Sequence, residues 1–454
     1  MISFVLVSGL VLAGCRPVAE SWRNPPAAPP ASPAAVGTLR TEQPALPAQA
    51  TPTVVAGPVT ITYWEDESDE GAVVLDELAA RFMEENPGIE VKRLHFGTED
   101  LRLQYRVAAL EGKPPELVRG AGELAGPFGE LETVHPIEGL IPQSTLDRFF
   151  PGALAAARVK GRLWGVPDNY GNQLMLIYNK KWVKETPPNT DGWVAQLKTL
   201  TDVTQGQYGL VYDLKEPFWL IPWLGGFGGW PLDESGMPAL ATEPMANTLQ
   251  FLQDLKLVYK VVPPDVNYDS AYEIFRSGKA AYVIDGAWNL DRYRGAGVDL
   301  GVAALPRVTS TGLFPSPLTL GKYWFISKVA QGPTLDAAVK FVEFMTSSGA
   351  QETWTSRAGR LPSNKEAARS EVITQDPIKS GSVDQLSKGR GLQSVPEMYC
   401  AWGAMRAPLA SVMDGTMTPT AASQAMQDEA ERCIADMNVA DPGQEAEATP
   451  EGGQ

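Results

Sequence analysis

Short apolar runs and longer amphipathic stretches alternate along residues 59–438. Residues 59–64 alternate β-branched and aromatic side chains with threonine, and this pattern predicts a strand. Val74, Leu78 and Phe82 follow at intervals of four, which predicts the buried face of a helix.

A turn, a second strand and several later elements extend this pattern. Pro87 and Gly88 end the first helix, because proline cannot continue it and glycine accepts the turn, and residues 89–94 predict the next strand. A strand, a helix and a second strand in this order favour parallel strands and an α/β fold. The later predicted elements are a turn and strand at 161–167, strands at 174–179 and 280–285, and helices at 335–345 and 420–437.

The amino-terminal residues have a different pattern. An apolar run ends in Leu12, Ala13, Gly14 and Cys15 and is too short to span a bilayer as a helix. It looks like a lipoprotein signal peptide of residues 1–14, which implies that Cys15 carries lipid and anchors the protein to the membrane. No Lys or Arg precedes the run, unlike in a typical signal peptide. Two alternatives therefore stay open: the true translation start lies upstream, or the run is a frayed apolar N-terminus.

Two segments lack the apolar content of a folded core. Residues 24–58 hold nine Pro and nine Ala without an aromatic residue, so we assign 15–58 to a semi-rigid, lipid-anchored linker. Residues 439–454 are acidic and contain Gly and Pro, which predicts a disordered tail.

Composition narrows the class of protein. The 454 residues carry a formal net charge of −16, which argues against nucleic-acid binding. Three Cys and two His leave little material for a zinc site or a catalytic histidine, so we predict no metal and no cofactor. Cys400 and Cys433 are a pair in a chain with an export signal, and either one disulfide or two buried thiols is expected.

Several segments spread over nearly all of 59–438 resemble one known family. They are residues 82–91 (FMEENPGIEV), 115–118 (PELV), 161–167 (GRLWGVP), 176–180 (LIYNK), 216–218 (EPF), 275–288 (FRSGKAAYVIDGAW) and 396–402 (PEMYCAW). Their order and spacing are similar to those of the family-1 extracellular solute-binding proteins, the sugar-binding components of ABC importers.

This resemblance implies a two-lobed periplasmic-binding-protein fold of type II, with discontinuous α/β lobes joined by a hinge that the chain crosses three times. The crossings are expected near 168–173, 304–316 and 345–352. The expected lobes are residues 59–168 with 306–348 for the first, and 171–304 with 350–438 for the second. The ligand then binds between the lobes, which close by a hinge motion.

The resemblance also implies the ligand contacts of the second lobe. Sugars have hydroxyl rims and apolar C–H faces, which aromatic faces and planar polar groups bind well. Trp288 and Trp402 match sugar-stacking tryptophans, and Glu216 matches a sugar-binding glutamate. Tyr268 and Phe218 match sugar-contacting tyrosines, although Phe218 lacks the hydroxyl. For each aromatic residue, core packing is the alternative.

In the first lobe, Glu65, Asp66 and Glu67 follow the first predicted strand, and one of them, or Trp64 at its end, is expected to reach the ligand. A solvated turn is the alternative for this acidic run. At the first crossing, a polar cluster offers Asp168 and Asn172 as the expected contacts.

A second binding loop of the first lobe departs from the pattern of the maltodextrin binders. Glu123 matches an aspartate of that loop and is the expected ligand contact. Leu124 and Gly120 stand where the maltodextrin binders have Arg and Trp. Two contacts to a maltodextrin are therefore missing.

The sequence predicts a monomeric lipoprotein on the extracytoplasmic face of the cell membrane that captures a carbohydrate and delivers it to an ABC transporter permease. Two alternatives stay open. One is a binder of a non-sugar solute such as a polyamine, which the acidic residues near Glu65 would suit. The other is a glycoside hydrolase that pairs Glu65 or Asp66 with Glu216. The identity of the sugar and of the permease is open.

Overall fold

The computed structural model describes residues 58–67, 69–392 and 395–440, with side chains described as far as residue 437. The predicted signal peptide with Cys15, the predicted linker up to residue 57 and the predicted tail from residue 441 lie outside these residues.

Within the described residues, the strands and helices alternate along the chain. The strands are β1 (Val59–Glu65), β2 (Ile89–His95), β3 (Leu117–Ala121), β4 (Arg158–Val159), β5 (Arg162–Leu163), β6 (Val166–Gly171), β7 (Leu174–Asn179), β8 (Tyr208–Val211), β9 (Ala280–Gly286), β10 (Leu300–Ala303), β11 (Leu318–Ile326) and β12 (Arg390–Gly391). The α-helices are α1 (Asp69–Glu85), α2 (Thr98–Leu110), α3 (Ala125–Glu130), α4 (Gln143–Leu146), α5 (Pro151–Ala156), α6 (Thr190–Leu200), α7 (Pro217–Gly226), α8 (Glu243–Gln253), α9 (Tyr268–Arg276), α10 (Leu290–Gly295), α11 (Pro333–Met345), α12 (Ser348–Ala358), α13 (Glu371–Thr374), α14 (Pro377–Leu386), α15 (Pro396–Met413) and α16 (Pro419–Ala440).

The first sheet has the strand order β12-β11-β3-β1-β2, and β6 also pairs with β11. Strand β1 is parallel to both β2 and β3, whereas β11 runs antiparallel to β3 and β6. The alternation predicted for the first strand is confirmed, since Ile61 and Tyr63 are buried while Thr62 between them is half-buried. The predicted strand, helix and strand at the start of the fold are β1, α1 and β2.

The second sheet has the strand order β10-β7-β9-β8. Strand β7 has the bounds predicted from the sequence, and β9 extends the predicted 280–285 by one residue. All seven residues of β9 are buried, because β7 and β8 flank this strand and helices cover its faces.

Each sheet has its own hydrophobic core, and the chain passes between the two cores more than once. The first core draws on residues 61–166 and 323–354, and the second on 174–318 and 398–430. Along β11 the chain changes core, since Leu318 packs in the second and Tyr323 in the first. The antiparallel pair of β6 and β11 therefore forms the hinge between the lobes.

The second and third crossings differ from those expected at 304–316 and 345–352. Val308 still packs in the second core, so the second crossing lies later, along β11. Helix α12 spans the expected third crossing, packs on α1 and buries Trp354 in the first core. The chain reaches the second lobe only with α14, which packs on β10. The end of the amphipathic pattern at 345 marks a turn between two helices of one lobe, and sequence periodicity does not distinguish such a turn from a crossing.

The carboxyl-terminal helices α15 and α16 pack against each other in the second lobe. A disulfide joins Cys400 on α15 to Cys433 on α16, with 5.6 Å between the two Cα atoms. Helix α16 continues to residue 440, two residues into the predicted tail. None of the helices in the described part of the chain is long and apolar enough to cross a membrane.

Candidate functional site

The candidate residues of both lobes lie at the sheet edges that border the hinge. In the second sheet, Gly286 at the end of β9 pairs with Leu174, which begins β7 just after the first crossing. In the first sheet, Ala121 at the end of β3 pairs with Lys322 on the hinge strand β11. Ligands of α/β proteins bind outside the carboxyl ends of strands, so a ligand at the hinge meets side chains of both lobes.

Trp288 is the most exposed of the predicted ligand-binding aromatic residues. It follows β9 in a short 3₁₀ turn, and 41% of its surface is exposed. Its ring lies directly over Gly286, where an added Cβ would lie 2.0 Å from the ring atom Cζ3. The absence of a side chain at Gly286 is therefore what allows the indole to lie against the end of the strand.

Three further aromatic rings surround Trp288, and we call the four the aromatic platform: Phe218, Trp219, Tyr268 and Trp288. The ring centroids of Phe218 and Trp288 are 6.4 Å apart, those of Phe218 and Trp219 5.4 Å, and those of Trp219 and Tyr268 5.6 Å. Trp219 is buried beneath the others and donates its indole N–H to the carbonyl of Ile284 at 2.8 Å. The platform is thus anchored to β9 from below.

Hydrogen bonds hold the upper side of the platform. The Tyr268 hydroxyl accepts from Trp288 Nε1 at 2.9 Å and from Asn289 Nδ2 at 2.7 Å. Asn289 also donates to Asp285 Oδ2 at 2.8 Å, and the Tyr293 hydroxyl donates to the same oxygen at 2.6 Å. Burial raises the pKa of Asp285, and these two hydrogen bonds oppose the rise.

The sequence did not point to Asp285 and Asn289 as supports of the site. The available signal was a carboxylate at the end of a fully buried strand, followed four residues later by an amide. Tyr268 owes its position to the start of α9, where the Asn267 and Ser270 side chains and backbone N–H groups cap the helix reciprocally.

The platform is extended on one side by three further side chains, those of Glu216, Trp402 and Arg406. Glu216 precedes α7, directly before the turn that carries Phe218, and its side chain is hydrogen-bonded to Trp402. Arg406 Nη2 donates to Glu216 Oε1 at 3.1 Å. Burial raises the pKa of Glu216, and the Arg406 charge opposes this. Arg406 was not predicted, although its position four residues after Trp402 puts both on one side of a helix.

Glu65 is one of the first-lobe residues from which a ligand contact was expected, and the structure buries it. Its side chain has no exposed surface. Its Oε1 accepts from Arg93 Nη1 at 2.8 Å and lies 3.2 Å from His95 Nδ1. The carboxylate therefore links the end of β1 to the end of β2 inside the lobe.

Asp66 and Glu123 are also paired with cations. Lys322 Nζ on the hinge strand donates to both carboxylate oxygens of Asp66 at 2.7 Å, and the Asp66 side chain is 1% exposed. Arg102 of α2 pairs with Glu123, and each side chain is about one-third exposed. Of these two carboxylates, Glu123 has the surface with which to meet a ligand.

Asp168 was expected to contact the ligand, but the structure buries it completely. Its carboxylate accepts from Arg119 Nε, while Arg119 Nη1 donates to Glu67 at 3.0 Å. Arg360 also donates to Glu67, at 2.7 Å. Burial raises the pKa of Asp168, and the Arg119 charge opposes this. Because Asp168 lies on β6, this cluster fastens a hinge strand to the first lobe.

Trp64 and Asn172, the remaining predicted contacts, lie on either side of the hinge. Trp64 is half-buried and packs on Phe96 with ring centroids 4.7 Å apart. Asn172 is exposed in the crossing between β6 and β7 and has a left-handed backbone with φ of 59°, which asparagine tolerates. Of the two, Trp64 presents part of an aromatic face near the ends of the first-lobe strands.

The chemistry of the site is that of binding by aromatic faces and hydrogen bonds. In the described part of the chain, no group of three or more His, Cys, Asp or Glu side chains could hold a metal ion. Rings anchored to a buried strand, with a half-buried carboxylate and an exposed guanidinium group beside them, suit a ligand with both apolar faces and polar edges.

Two α/β lobes on a strand hinge, with the candidate side chains where the sheet edges meet, define a solute-binding protein of the type II periplasmic-binding fold. The sequence profile of the family described as bacterial extracellular solute-binding protein matches residues 77–380, and the chain belongs to this family. It is accordingly an extracytoplasmic protein, and the expected fold class and family are confirmed.

Characterised relatives span most of the chain. The maltotriose-binding protein of Pyrococcus abyssi is 25% identical over 355 residues, which cover 78% of this chain and 77% of that protein. The maltooligosaccharide ABC transporter solute-binding lipoprotein of Streptococcus pneumoniae is 23% identical over 385 residues, covering 79% and 86%.

Solved structures have the same fold. The maltose/maltodextrin-binding domain MalE of Bdellovibrio bacteriovorus, bound to maltotriose, is 32% identical with a TM-score of 0.58 and covers 83% of this chain and 100% of that one. A cyclo/maltodextrin-binding protein complexed with maltotetraose is 23% identical with a TM-score of 0.73, covers 85% and 98%, and is similar in fold alone.

Proposed function

We propose that this protein captures a maltooligosaccharide between its two lobes and delivers it to the permease of an ABC importer. Membership of the solute-binding family supports the transport role. The named ligands of the relatives, maltotriose and maltooligosaccharides, support this class of sugar. The observation that carries the proposal is the aromatic platform, with Trp288 exposed and held from below and from the side.

The geometry of the platform suits a pyranose ring. A half-exposed indole offers a flat apolar face to the C–H groups of a sugar, and stacking on such a face is favourable by about 0.5–1.5 kcal/mol. Glu216 and Arg406 lie beside it and offer an acceptor and donors for the hydroxyl rim. Ligand that touches both lobes stabilises the closed form, which then docks on the permease.

The same contacts weigh against the two other functions. A polyamine needs free carboxylates, yet Glu65, Asp66 and Glu123 are each already paired with Arg or Lys. A glycoside hydrolase needs two carboxylates that reach the scissile bond, and Glu65 has no exposed surface with which to do so. The relatives are named as binding proteins, and we infer capture without cleavage.

We also propose that Cys15 carries the lipid anchor and that the protein acts as a monomer. A relative named as a lipoprotein supports the anchor. Expression of the full chain with labelled palmitate should label the wild type and leave Cys15→Ala unlabelled and released from the membrane. Equal labelling of both proteins would disprove this assignment.

The function is tested by titrating the purified protein with maltose, maltotriose, maltotetraose, lactose and spermidine while following tryptophan fluorescence and heat. We expect saturable binding of the maltooligosaccharides, with the sugar recovered intact by chromatography. Binding of spermidine alone, or the appearance of shorter sugars in the same samples, would contradict the proposal and favour the corresponding alternative.

A further inference from the structure

The turn between β8 and α7, residues 212–216, connects three helices that carry residues of the candidate site, namely α7, α9 and α15. Glu216 ends the turn and leads into Phe218 on α7. The backbone of Tyr268, at the start of α9, is hydrogen-bonded to a side chain of the turn, and two ion pairs join the turn to α15 and the residue after it. The parts of the second-lobe site are therefore attached to the same turn.

Asp213 joins the turn to α9. Its Oδ1 accepts from the backbone N–H of Lys215 at 3.0 Å, and its Oδ2 accepts from the backbone N–H of Tyr268 at 3.2 Å. The reciprocal cap of α9 covers the N–H groups of Asn267 and Ser270 but not that of Tyr268, which no carbonyl of the helix can satisfy. One carboxylate therefore fixes the start of α9 against the turn.

Lys215 joins the same turn to the end of α15. Its Nζ donates to Oδ1 of Asp414, the residue directly after α15, at 2.8 Å. The negative end of a helix dipole disfavours a carboxylate at this position. The hydrogen bond from Lys215 nevertheless lowers the pKa of Asp414, and Nζ of the buried Lys256 lies 3.4 Å from the same oxygen. The unfavourable position of this carboxylate is therefore offset by two cations, one of which belongs to the turn.

The turn itself is fixed to the lobe by its middle residue. Leu214 lies between Asp213 and Lys215 in the sequence, and its side chain is buried in the second core. The core thus holds the turn, while the residues before and after Leu214 bond to α9 and to the end of α15. The distances between the groups that face a sugar are in this way set by two side chains outside the platform.

We propose that Asp213 and Lys215 are positioning residues, which hold the platform and α15 at the distances that sugar binding requires. Neither residue contacts the sugar. Asp213 acts through Tyr268 on the aromatic platform, and Lys215 acts through the end of α15 on Trp402. This role rests on the proposed function, because it concerns the sugar contacts of the same site.

Asp213→Asn weakens the link to α9 and keeps the size of the side chain. An amide has one acceptor oxygen in place of two and cannot accept from both backbone N–H groups. We expect maltotriose binding about fivefold weaker by calorimetry, the size of one lost hydrogen bond, and thermal unfolding will check that the fold is retained. Asp202→Asn is the matched control, since Asp202 also accepts from the backbone N–H two residues ahead, in the same lobe and outside the site. Its affinity should be unchanged within error.

Lys215→Met removes the second link and retains most of the apolar stem of the side chain. We expect maltotriose binding about threefold weaker, because a partly exposed ion pair contributes less than a hydrogen bond that fixes a helix start. Lys180→Met is the matched control. It removes an exposed partner of Asp299 in the same lobe and should leave the affinity unchanged within error.

The indole N–H resonances of the ligand-free protein distinguish positioning from a general loss of stability. Trp288 donates to the tyrosine at the start of α9 at 2.9 Å, and Trp402 is bonded to the glutamate of the turn, so each indole reports on one link. Both resonances are assigned by their absence in Trp288→Phe and Trp402→Phe. We expect Asp213→Asn to shift the Trp288 resonance and Lys215→Met to shift that of Trp402, with both unmoved in the two controls.

These outcomes separate the positioning role from the function on which it rests. Wild-type affinity in either variant, or weaker binding with its indole resonance unmoved, would overturn the role of that residue and leave the sugar-binding function standing. An equal loss of affinity in the matched control would overturn it too. If the wild type binds no maltooligosaccharide, the proposed function fails and the positioning role fails with it.

Discussion

The two lobes carry opposite chemistry at the edges that border the hinge. The second lobe presents the aromatic platform, whose rings are held by neutral hydrogen bonds and a buried strand. In the first lobe, every predicted carboxylate is bonded to a cation: Glu65 to Arg93, Asp66 to Lys322, Glu123 to Arg102 and Asp168 to Arg119. The second-lobe edge therefore offers apolar faces, whereas the carboxylates of the first-lobe edge are paired with cations of the protein itself.

This difference separates recognition from scaffolding. A half-exposed ring can contact a sugar at little cost in free energy. Breaking a buried ion pair, by contrast, leaves an uncompensated buried charge and costs much more. We therefore expect the second lobe to provide most of the binding energy. The charges of the first lobe then hold the strand ends and the hinge strands β6 and β11 in position.

The largest effect should follow from breaking the buried charge cluster of the first lobe. Arg119→Met removes the guanidinium that donates to Asp168 and Glu67 and leaves the buried Asp168 without a cation, so the free energy of unfolding should fall by about 3–5 kcal/mol. Urea denaturation measures this. Arg276→Met removes an exposed partner of Glu273 and should leave the unfolding free energy unchanged within error. Equal stability of the two variants would contradict a structural role for the cluster.

The second lobe has a covalent support where the first has ion pairs. The double variant with Cys400→Ser and Cys433→Ser opens a link between residues 33 apart in sequence, which should lower the unfolding free energy by about 3–4 kcal/mol. Urea denaturation of the oxidised wild type and the double variant measures the loss. The wild type treated with a reductant should match the double variant, and a reductant that leaves the denaturation curve unmoved would indicate that the bond contributes nothing.

A smaller effect should separate the platform from the fold. Gly286→Ala has an ordinary backbone with φ of −100°, but its Cβ displaces the Trp288 ring, so we expect about tenfold weaker sugar binding at nearly unchanged stability. Calorimetry with maltotriose, alongside thermal unfolding, measures both. Gly295→Ala, where an added Cβ meets nothing, is the matched control. Unaltered affinity in Gly286→Ala would mean that the indole position does not matter.

The smallest effect concerns salt. If recognition lies mainly on the aromatic platform, raising NaCl from about 0.05 M to about 1 M should change the maltotriose affinity by less than about twofold, because screening acts on charges and not on stacked rings. Calorimetric titrations at the two salt concentrations measure the change. A weakening of more than about tenfold would assign recognition to the charged edge instead.

The grouping of the second-lobe candidate residues could be predicted from the sequence because the motifs that resemble the family are local. Gly286 ends one buried strand and Trp288 follows it, while Glu216 and Phe218 flank one proline, so short motifs determine where these side chains lie. The elements β1, α1, β2 and β7 were predictable for the same reason, since each depends on its own periodicity.

The first-lobe site was less predictable because the burial of its carboxylates depends on partners that are distant in sequence. Glu65 is buried by Arg93, and Asp168 by Arg119, through neighbours that only the sheet order brings together. A carboxylate after a strand looks the same in sequence whether it meets a ligand or an arginine. The predicted position of the third crossing was wrong for the same reason, since the packing of α12 on α1 joins segments about 280 residues apart in the chain.

The central claim is that the platform of the second lobe, and Trp288 above all, carries the recognition of the sugar. The most direct test is the maltotriose affinity of Trp288→Ala and Trp64→Ala measured by calorimetry against the wild type. We predict that Trp288→Ala weakens binding by about 1–3 kcal/mol without loss of stability, and that Trp64→Ala weakens it less. Wild-type affinity in Trp288→Ala, or a larger loss in Trp64→Ala, would contradict the account.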